Sequence, residues 1–456
     1  MGRRYRKKRR NNRTFRTCDE DKDIVYLNSW LSKQGMRRND KLRLAIFNDT
    51  GRGVLTKRKI LAGEELMNLP LNSTINVTTI LMDIQFCNIF LENTKSCLQE
   101  YKQKLSFQSL MAFYLTFLKV QNLESKWGVY LGSLPSNYTV PYFLPNEVLC
   151  NIHDDISAVI SKQKHVVNTS YHIFDEILKS NICRNYNVKQ LRDSFTMSLY
   201  EWAYFTVNTR CVYMDLTKVI DLKNIEKSIL SLICDNTKIS LCPYLDMINH
   251  SPSAKNETKL MLSRDFNLVN VSNLNQDIFS DVRFSIYTKN NFDPYTQVFI
   301  CYGDSHNLKL ITEYGFFLPN NDLDYYLFTF EDIEEFLKSI GRRLSQDQIS
   351  FIYSHGLNRN LYIDMKGLSY NLYGLLMVVK YYYNQTMDVS RLLYSAAICS
   401  NNKDLNSIVA PLVSEKLRKI KEKLSKLNCV ENSAILDNCI ALMCQYVKIL
   451  ENFNKC

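Results

Sequence analysis

Two short runs within residues 242–316 constrain this chain more than any other feature. The first, Tyr244-Leu245-Asp246-Met247-Ile248-Asn249-His250-Ser251, is largely apolar until it breaks into Asn, His, Ser and Pro252. Such a break closes a buried element and exposes polar groups at its end. The second, Val298-Phe299-Ile300-Cys301-Tyr302-Gly303, reads as a buried strand, β-branched and aromatic, ended by a Tyr-Gly turn. It continues through Asn307 to Glu313-Tyr314-Gly315-Phe316. Each run alone fits any strand or helix that ends in a turn. A Tyr at a strand end before Gly is, in addition, placed to face a cleft.

Composition narrows the surroundings of these runs. With 456 residues, 46% of them apolar and 23% charged, the chain has the make-up of a globular protein of two or three domains. No apolar run approaches the roughly 20 residues that span a bilayer, and the basic start lacks a following apolar segment, so no membrane is expected. Position six is Arg6 rather than Ser or Thr, which removes a myristoylation signal. None of the 14 cysteines forms C-x-x-C, and the six histidines are scattered. The expectation is free thiols in a reducing compartment and no metal. Of the net charge of +11, residues 1–16 supply nine Lys or Arg and no acid. The remainder is close to neutral, so the basic character belongs to an arm too polar to fold. That arm reads as a nuclear targeting signal for an import receptor or an electrostatic contact to nucleic acid, or else as a solvated tail.

Periodicity supplies the elements. Residues 22–35 have helical spacing, with Ile24, Leu27, Trp30 and Leu31 on one face. Strands are expected at 42–47, 54–55 and 65–69, with the turn Asn48-Asp49-Thr50-Gly51-Arg52-Gly53 between the first two. Gly51 and Gly53 allow a tight turn and close approach to the backbone. Residues 78–206 read as mostly helical, with stripes over 106–119 (Leu110, Phe113, Tyr114, Phe117), 155–179 and 189–206. Strands at 259–262 and 282–287 precede the Val298 strand, and 256–280 is polar enough to hold a loop. Helices are expected again at 370–383, 389–397 and 406–427.

In this order, the Asn-His-Ser block followed by Tyr-Gly and Tyr-Gly-Phe resembles the two signature motifs of SET-domain protein methyltransferases. Gly51-Arg52-Gly53-Val54, Ala62-Gly63-Glu64-Glu65 and Leu69-Pro70 resemble the opening of that domain. Ser125-Lys126-Trp127-Gly128-Val129-Tyr130-Leu131 with Leu134-Pro135 resembles the helical insertion of the Rubisco large-subunit and actin-histidine methyltransferase subclass. Where relatives have a Gly-Glu turn before the Val298 strand, this chain has Asp293-Pro294-Tyr295-Thr296. The resemblance implies an α+β fold: a SET domain of small β-sheets with knot-like threading, a large helical insertion and an all-helical C-terminal domain. The expected boundaries are a basic arm (1–21), SET segments (22–77 and 207–320), the insertion (78–206) and the C-terminal domain (321–456).

It also implies the chemistry. Methyl transfer from S-adenosyl-L-methionine requires the protein to orient the donor, exclude water and present a neutral amine. By resemblance Tyr302 is the catalytic tyrosine, and Gly51, Gly53, Asn249 and His250 border or hold the donor. Arg210, in Thr209-Arg210-Cys211-Val212, lies near the donor carboxylate, or merely pairs with a structural acid. Phe316 stacks on the adenine, Tyr314 lines the acceptor channel, and Val212 faces the acceptor. The expected function is lysine methylation of a histone tail or another lysine-bearing protein, in nucleus and cytoplasm. A histidine-directed enzyme of the same fold and a non-catalytic chromatin- or RNA-binding scaffold are the alternatives. Tyr302, Asn249 and Arg210 together argue against the scaffold.

Overall fold

The computed structural model describes residues 14–90, 95–121, 125–180, 186–221, 228–262, 269–270, 281–385, 388–394, 403–427, 431 and 433–455. The basic arm up to residue 13 and most of the 263–280 loop lie outside them. The chain forms two compact units, residues 1–138 with 164–304 and residues 139–163 with 305–456. The division differs from the expected boundaries: residues 139–163 of the helical stretch and 305–320 group with the C-terminal unit.

The first unit is built on short strands: β1 (Phe15–Thr17), β2 (Arg37–Arg38), β3 (Leu42–Phe47), β4 (Gly51–Thr56), β5 (Glu65–Pro70), β6 (Cys211–Tyr213), β7 (Ile220–Asp221), β8 (Ile239–Leu241), β9 (Asn249–His250), β10 (Asn256–Leu262), β11 (Val269–Asn270), β12 (Val282–Thr288) and β13 (Gln297–Ile300). Two sheets dominate, in the orders β1-β3-β4-β13-β9 and β10-β12-β5-β2. All neighbours within them run antiparallel except β13 and β9, which are parallel with Phe299 opposite Asn249 and Ile300 opposite His250. β3 and β4 form a hairpin, Phe47 opposite Gly51, as the Gly-rich turn implies. Strand β10 takes in the start of the expected 256–280 loop and pairs with β12 along its whole length. The Asp293–Thr296 turn forms, with Tyr295 at φ 65° and the Thr56 hydroxyl donating to the Asp293 carbonyl at 2.7 Å.

Helices cover these sheets where the sequence places them. Lys22–Lys33 starts on the Asp21 side chain and buries Ile24, Leu27 and Leu31. Phe107–Gln121 is buried from Leu110 to Leu118, too uniformly for an amphipathic surface helix, because neighbours enclose it. Phe113 stacks on Phe174 at 4.2 Å. The stripe read over 189–206 is two helices, Tyr186–Ser194 and Met197–Arg210. Thr196 separates them, its hydroxyl accepting from the Leu199 N–H as an N-cap. The second helix ends at Arg210, four residues past the expected end, and feeds directly into β6.

The second unit has its own core, with Leu376, Ile363, Leu412, Met443 and Ile449 among the side chains shielded from solvent. Helices Tyr370–Tyr381, Val389–Tyr394 and Lys403–Leu427 match the expected segments, and Ala434–Lys455 adds a long one that the sequence reading passed over. The unit is not purely helical, a correction to the expected all-helical domain. β14 (Tyr325–Phe328), β15 (Leu361–Asp364) and β16 (Gly367–Leu368) make an antiparallel sheet. Alternation in Tyr325–Phe328 buries Tyr326 and Phe328 against the helices and leaves Leu327 exposed.

Candidate functional site

In the first unit the structure brings Gly51, Gly53, Asn249, His250 and Tyr302 to one end of β4, β9 and β13. Gly51 has φ 69°, which glycine adopts without the cost of a side chain. Gly53 is required for a different reason. A Cβ there would stand 2.5 Å from Gln297 Oε1 and 2.8 Å from Asn249 Nδ2. Asn249 Nδ2 donates to the Arg52 carbonyl at 3.1 Å and to Gln297 Oε1 at 2.8 Å. Gln297 Nε2 in turn donates to the Thr50 hydroxyl at 2.9 Å. The Asn249 amide therefore braces the glycine turn.

His250 braces Tyr302 in the same way. Its Nδ1 accepts the Tyr302 N–H at 3.0 Å, and the two rings lie 5.1 Å apart. Burial lowers the His250 pKa, against a backbone hydrogen bond to Ile300 that raises it, and the neutral imidazole is the form in which Nδ1 can accept. The Tyr302 hydroxyl donates to the Ile248 carbonyl at 2.7 Å. A phenol has one proton, and with that proton directed at Ile248 the oxygen acts toward any other group only as an acceptor. Gly303 follows at φ 112° and turns the chain sharply away after the tyrosine.

Arg210 occupies the C-terminal end of its helix, where its charge suits the dipole. Its Nη1 donates to the Asp246 carbonyl at 3.1 Å and to Asp246 Oδ2 at 3.2 Å. Tyr130 donates its hydroxyl to the same Oδ2 at 2.9 Å. The Asp246 side chain is fully buried and that of Arg210 16% exposed. Burial opposes charge on both; Asp246 outweighs it for Arg210, whose pKa stays above the ordinary value, while burial keeps the Asp246 carboxyl above the ordinary aspartate range. Arg210 Nε is buried with no hydrogen-bond partner among the described residues. Arg210 thus does pair with an acid, and a further donor stays unmatched.

Val212 lies in β6 opposite Ser240 of β8, half-buried. Tyr314 and Phe316 stand in the second unit. There, a π-helical turn Leu310–Tyr314 ends at Gly315, φ 79°, whose Cβ would meet Thr139 Oγ1 at 2.6 Å. Tyr314 and Phe316 flank this glycine with rings 6.3 Å apart. Buried Asn307 fixes the segment by donating to the Leu318 carbonyl at 2.8 Å and to Asp324 Oδ2 at 2.6 Å.

Sequence reasoning missed Asp246, Gln297 and Tyr130. Asp246 carried a usable signal, since a carboxylate inside an apolar run needs a cation when buried. Gln297 carried none, because nothing in its neighbourhood marks its partner 48 residues earlier. Among the described residues no group of three or more His, Cys, Asp or Glu could hold a metal ion.

Small sheets closed by a parallel β9–β13 pair, with Asn-His on one strand and Tyr-Gly after the other, define a SET-domain fold. No family model matches the chain. Among curated proteins it is similar to SET domain-containing protein 4 of Mus musculus, 25% identical over 374 residues, 81% of this chain and 75% of the relative. It is 24% identical over 350 residues to the ribosomal lysine N-methyltransferase set11 of Schizosaccharomyces pombe, covering 75% and 71%. It is 26% identical over 310 residues to the actin-histidine N-methyltransferase of Rattus norvegicus, covering 65% and 43%. Among solved structures, Rubisco LSMT bound to AdoMet matches with a TM-score of 0.55 at 16% identity, covering 95% of this chain and 91% of that one. The chain has a SET-domain fold and is similar to SET-domain methyltransferases of the subclass that includes the Rubisco large-subunit and actin-histidine enzymes.

Proposed function

We propose that the chain is an S-adenosyl-L-methionine-dependent protein-lysine N-methyltransferase, acting on histone or other lysine-bearing protein segments. The observation that carries this reading is the fixed phenol of Tyr302, held by His250 at its backbone and by Ile248 at its hydroxyl. The Gly51–Gly53 turn, braced by Asn249 and without a side chain at either glycine, and the unmatched Nε of charged Arg210 fit a donor that has polar edges and a carboxylate. Bound there, the donor supplies a methyl on a sulfonium, which is already a good electrophile.

The protein then has to position and neutralise the nucleophile. Lysine has an ordinary pKa of about 10.4, so an apolar wall that penalises the ammonium helps shed its proton. The Tyr302 oxygen, held by its bond to the Ile248 carbonyl, orients the amine by accepting an N–H, so that the amine lone pair points elsewhere. Val212 offers no hydrogen bond, which suits a lysine stem. A site that grips an imidazole needs a polar partner, and loses discrimination without one. The relatives include an enzyme named for actin histidine, which keeps a histidine acceptor as the second reading. The test is tandem mass spectrometry of a proteome methylated by the purified protein. Methyl-lysine is expected; methylhistidine as the main product, with methyl-lysine absent, overturns the lysine assignment.

A further inference from the structure

The first unit attaches the basic arm beside its own site. β1 is the outer strand of the sheet β1-β3-β4-β13-β9. Phe15 stands opposite Phe47, which stands opposite Gly51. The Asn48 N–H donates to the Thr14 carbonyl at 3.1 Å and carries the pairing one residue further in the same direction. Followed backward along β1, the chain therefore leaves the sheet at the Gly51 end of β4. β13 runs antiparallel to β4, with Val298 opposite Val54, so it finishes at that same end, and Tyr302 follows it. Phe15 packs on Phe47, ring centroids 5.9 Å apart, in a small cluster with Ala45 and Leu55 that pins the point of departure.

Neighbouring strands lie about 4.8 Å apart, so β1 and β13, three spacings from each other, are separated by about 15 Å. An extended chain covers about 3.3–3.6 Å per residue, and Lys8 precedes Thr14 by six residues, a span of about 20 Å before its side chain is counted. Lys7 reaches one residue further. Of the eight bases in residues 1–13 only these two are lysines. The six arginines stay protonated, whereas a lysine amine can lose its proton and become a nucleophile. Two exposed carboxylates mark the same end of the sheet, Asp49 in the β3–β4 turn and Asp304 two residues past Tyr302. Their charge is complementary to the arm. A tether of this length holds its end at an effective concentration on the order of millimolar, at or above the roughly 1 μM–1 mM KM of an ordinary free substrate.

We propose, on the lysine-methyltransferase reading, that the chain methylates its own arm in cis, at the Lys7-Lys8 pair. The neutral ε-amine gives its lone pair to the methyl carbon of the sulfonium. The C–N bond forms as the C–S bond breaks, the electron pair of the broken bond stays on sulfur as a thioether, and the surplus proton on nitrogen passes to water. The arm is the acceptor already tethered at the site, and proteins in solution compete with it.

The experiment incubates the full chain with S-adenosyl-L-methionine and cleaves it before aspartate, which leaves residues 1–18 as one peptide for tandem mass spectrometry. Methyl groups are expected on Lys7 or Lys8. The fraction modified per minute should stay the same within about twofold over roughly a hundredfold dilution of the protein, because a tethered acceptor is not diluted. A rate that falls in proportion to protein concentration shows transfer between copies and overturns the cis assignment. Lys7→Arg combined with Lys8→Arg is expected to remove the modification from the peptide. Methyl-lysine on other proteins treated with the same preparation, with residues 1–18 unmodified, overturns self-methylation and leaves the proposed function standing. Methyl-lysine in neither removes the lysine reading and self-methylation with it.

Discussion

Replacing Gly53 by Ala isolates the brace between the glycine turn and the Asn249 strand. Gly53 does not use the left-handed region, so the new methyl brings no backbone strain of its own. Its effect comes from the two side-chain ends it meets, Gln297 Oε1 at 2.5 Å and Asn249 Nδ2 at 2.8 Å. Neither contact can stay, and moving them breaks the bonds from Asn249 to Arg52 and Gln297. At about 1 kcal/mol for each hydrogen bond, plus partial burial of an unmatched amide, the loss is about 1–3 kcal/mol. Chemical denaturation followed by circular dichroism measures it, and calorimetric donor titration should show affinity at least about tenfold weaker. Gly51→Ala serves as the contrast. Nothing lies within 4 Å of its Cβ, so it should cost about 1 kcal/mol of left-handed backbone strain and leave Asn249 undisturbed. Gly53→Ala combined with Gln297→Ala should lose less than the sum of the single variants, because the nearest clash is gone. A Gly53→Ala chain within about 0.5 kcal/mol of the parent, or strict additivity in the double variant, refutes the brace.

Three other outcomes are expected. Tyr302→Phe should lower turnover far more than donor affinity, and turnover surviving within about a factor of two would reduce Tyr302 to a wall of the site. Deleting residues 2–13, which stops short of β1, should leave methyl transfer to a peptide nearly intact and reduce nuclear accumulation of a tagged protein; unchanged accumulation removes the targeting role. In the second unit, burial against Tyr326 and Tyr446 lowers His153 from 6.5 to about 4, and burial raises neighbouring Asp155 from 3.8 to about 6, with Asp154, Asp332, Lys416 and Lys423 also close. The folded His153 binds fewer protons than the unfolded one between pH 6.5 and 4, so its contribution falls as pH falls; the folded Asp155 binds more, so its contribution rises over pH 6 to 3.8. The opposed slopes should leave the parent nearly flat there, whereas Asp155→Asn should lose about 3 kcal/mol across the window in denaturation measured at each pH, and a flat variant refutes the assignment.

How much of this was legible depended on whether the cause was local. The helix Lys22–Lys33 and the β13 strand follow from spacing and lie within two residues of their expected places, and the β3–β4 hairpin forms as its turn residues imply, although β4 starts at Gly51, three residues earlier than expected. The break at Thr196 was missed because apolar residues continue on both sides of it, and only the cap geometry divides the helix. The sheet in the second unit was missed for a related reason. Tyr325–Phe328 is four residues long, and a run that short fits a strand or a helix turn equally. In the site, Tyr302 and the Asn-His block were readable from their own neighbours. What they touch was not: Asn249 reaches Arg52 and Gln297, and His250 reaches the Tyr302 backbone, across contacts that no periodicity encodes.

The Arg210–Asp246 pair explains why such non-local contacts cluster here. Replacing a buried ion pair by well-packed apolar side chains is often neutral or stabilising, so the pair is a poor candidate for a source of net stability. Its geometry does something an apolar contact would not. Arg210 holds both the side chain and the carbonyl of Asp246, and Tyr130 holds the same carboxylate from the helix Gly128–Ser133. Two elements of the helical insertion therefore fix the short turn Leu245–Met247 in position and orientation, immediately before Ile248 and Asn249. Tyr244, just ahead, sits fully buried at φ 73° and ψ −41°, a conformation that costs a bulky residue about 1–3 kcal/mol and persists only where its surroundings enforce it. The Ile248 carbonyl that receives the Tyr302 hydroxyl is thus set by a charge pair on one side and a strained tyrosine on the other. Precision at that carbonyl is what places the phenol oxygen, and it is the physical reason a helical insertion can be part of the site without presenting a catalytic group of its own.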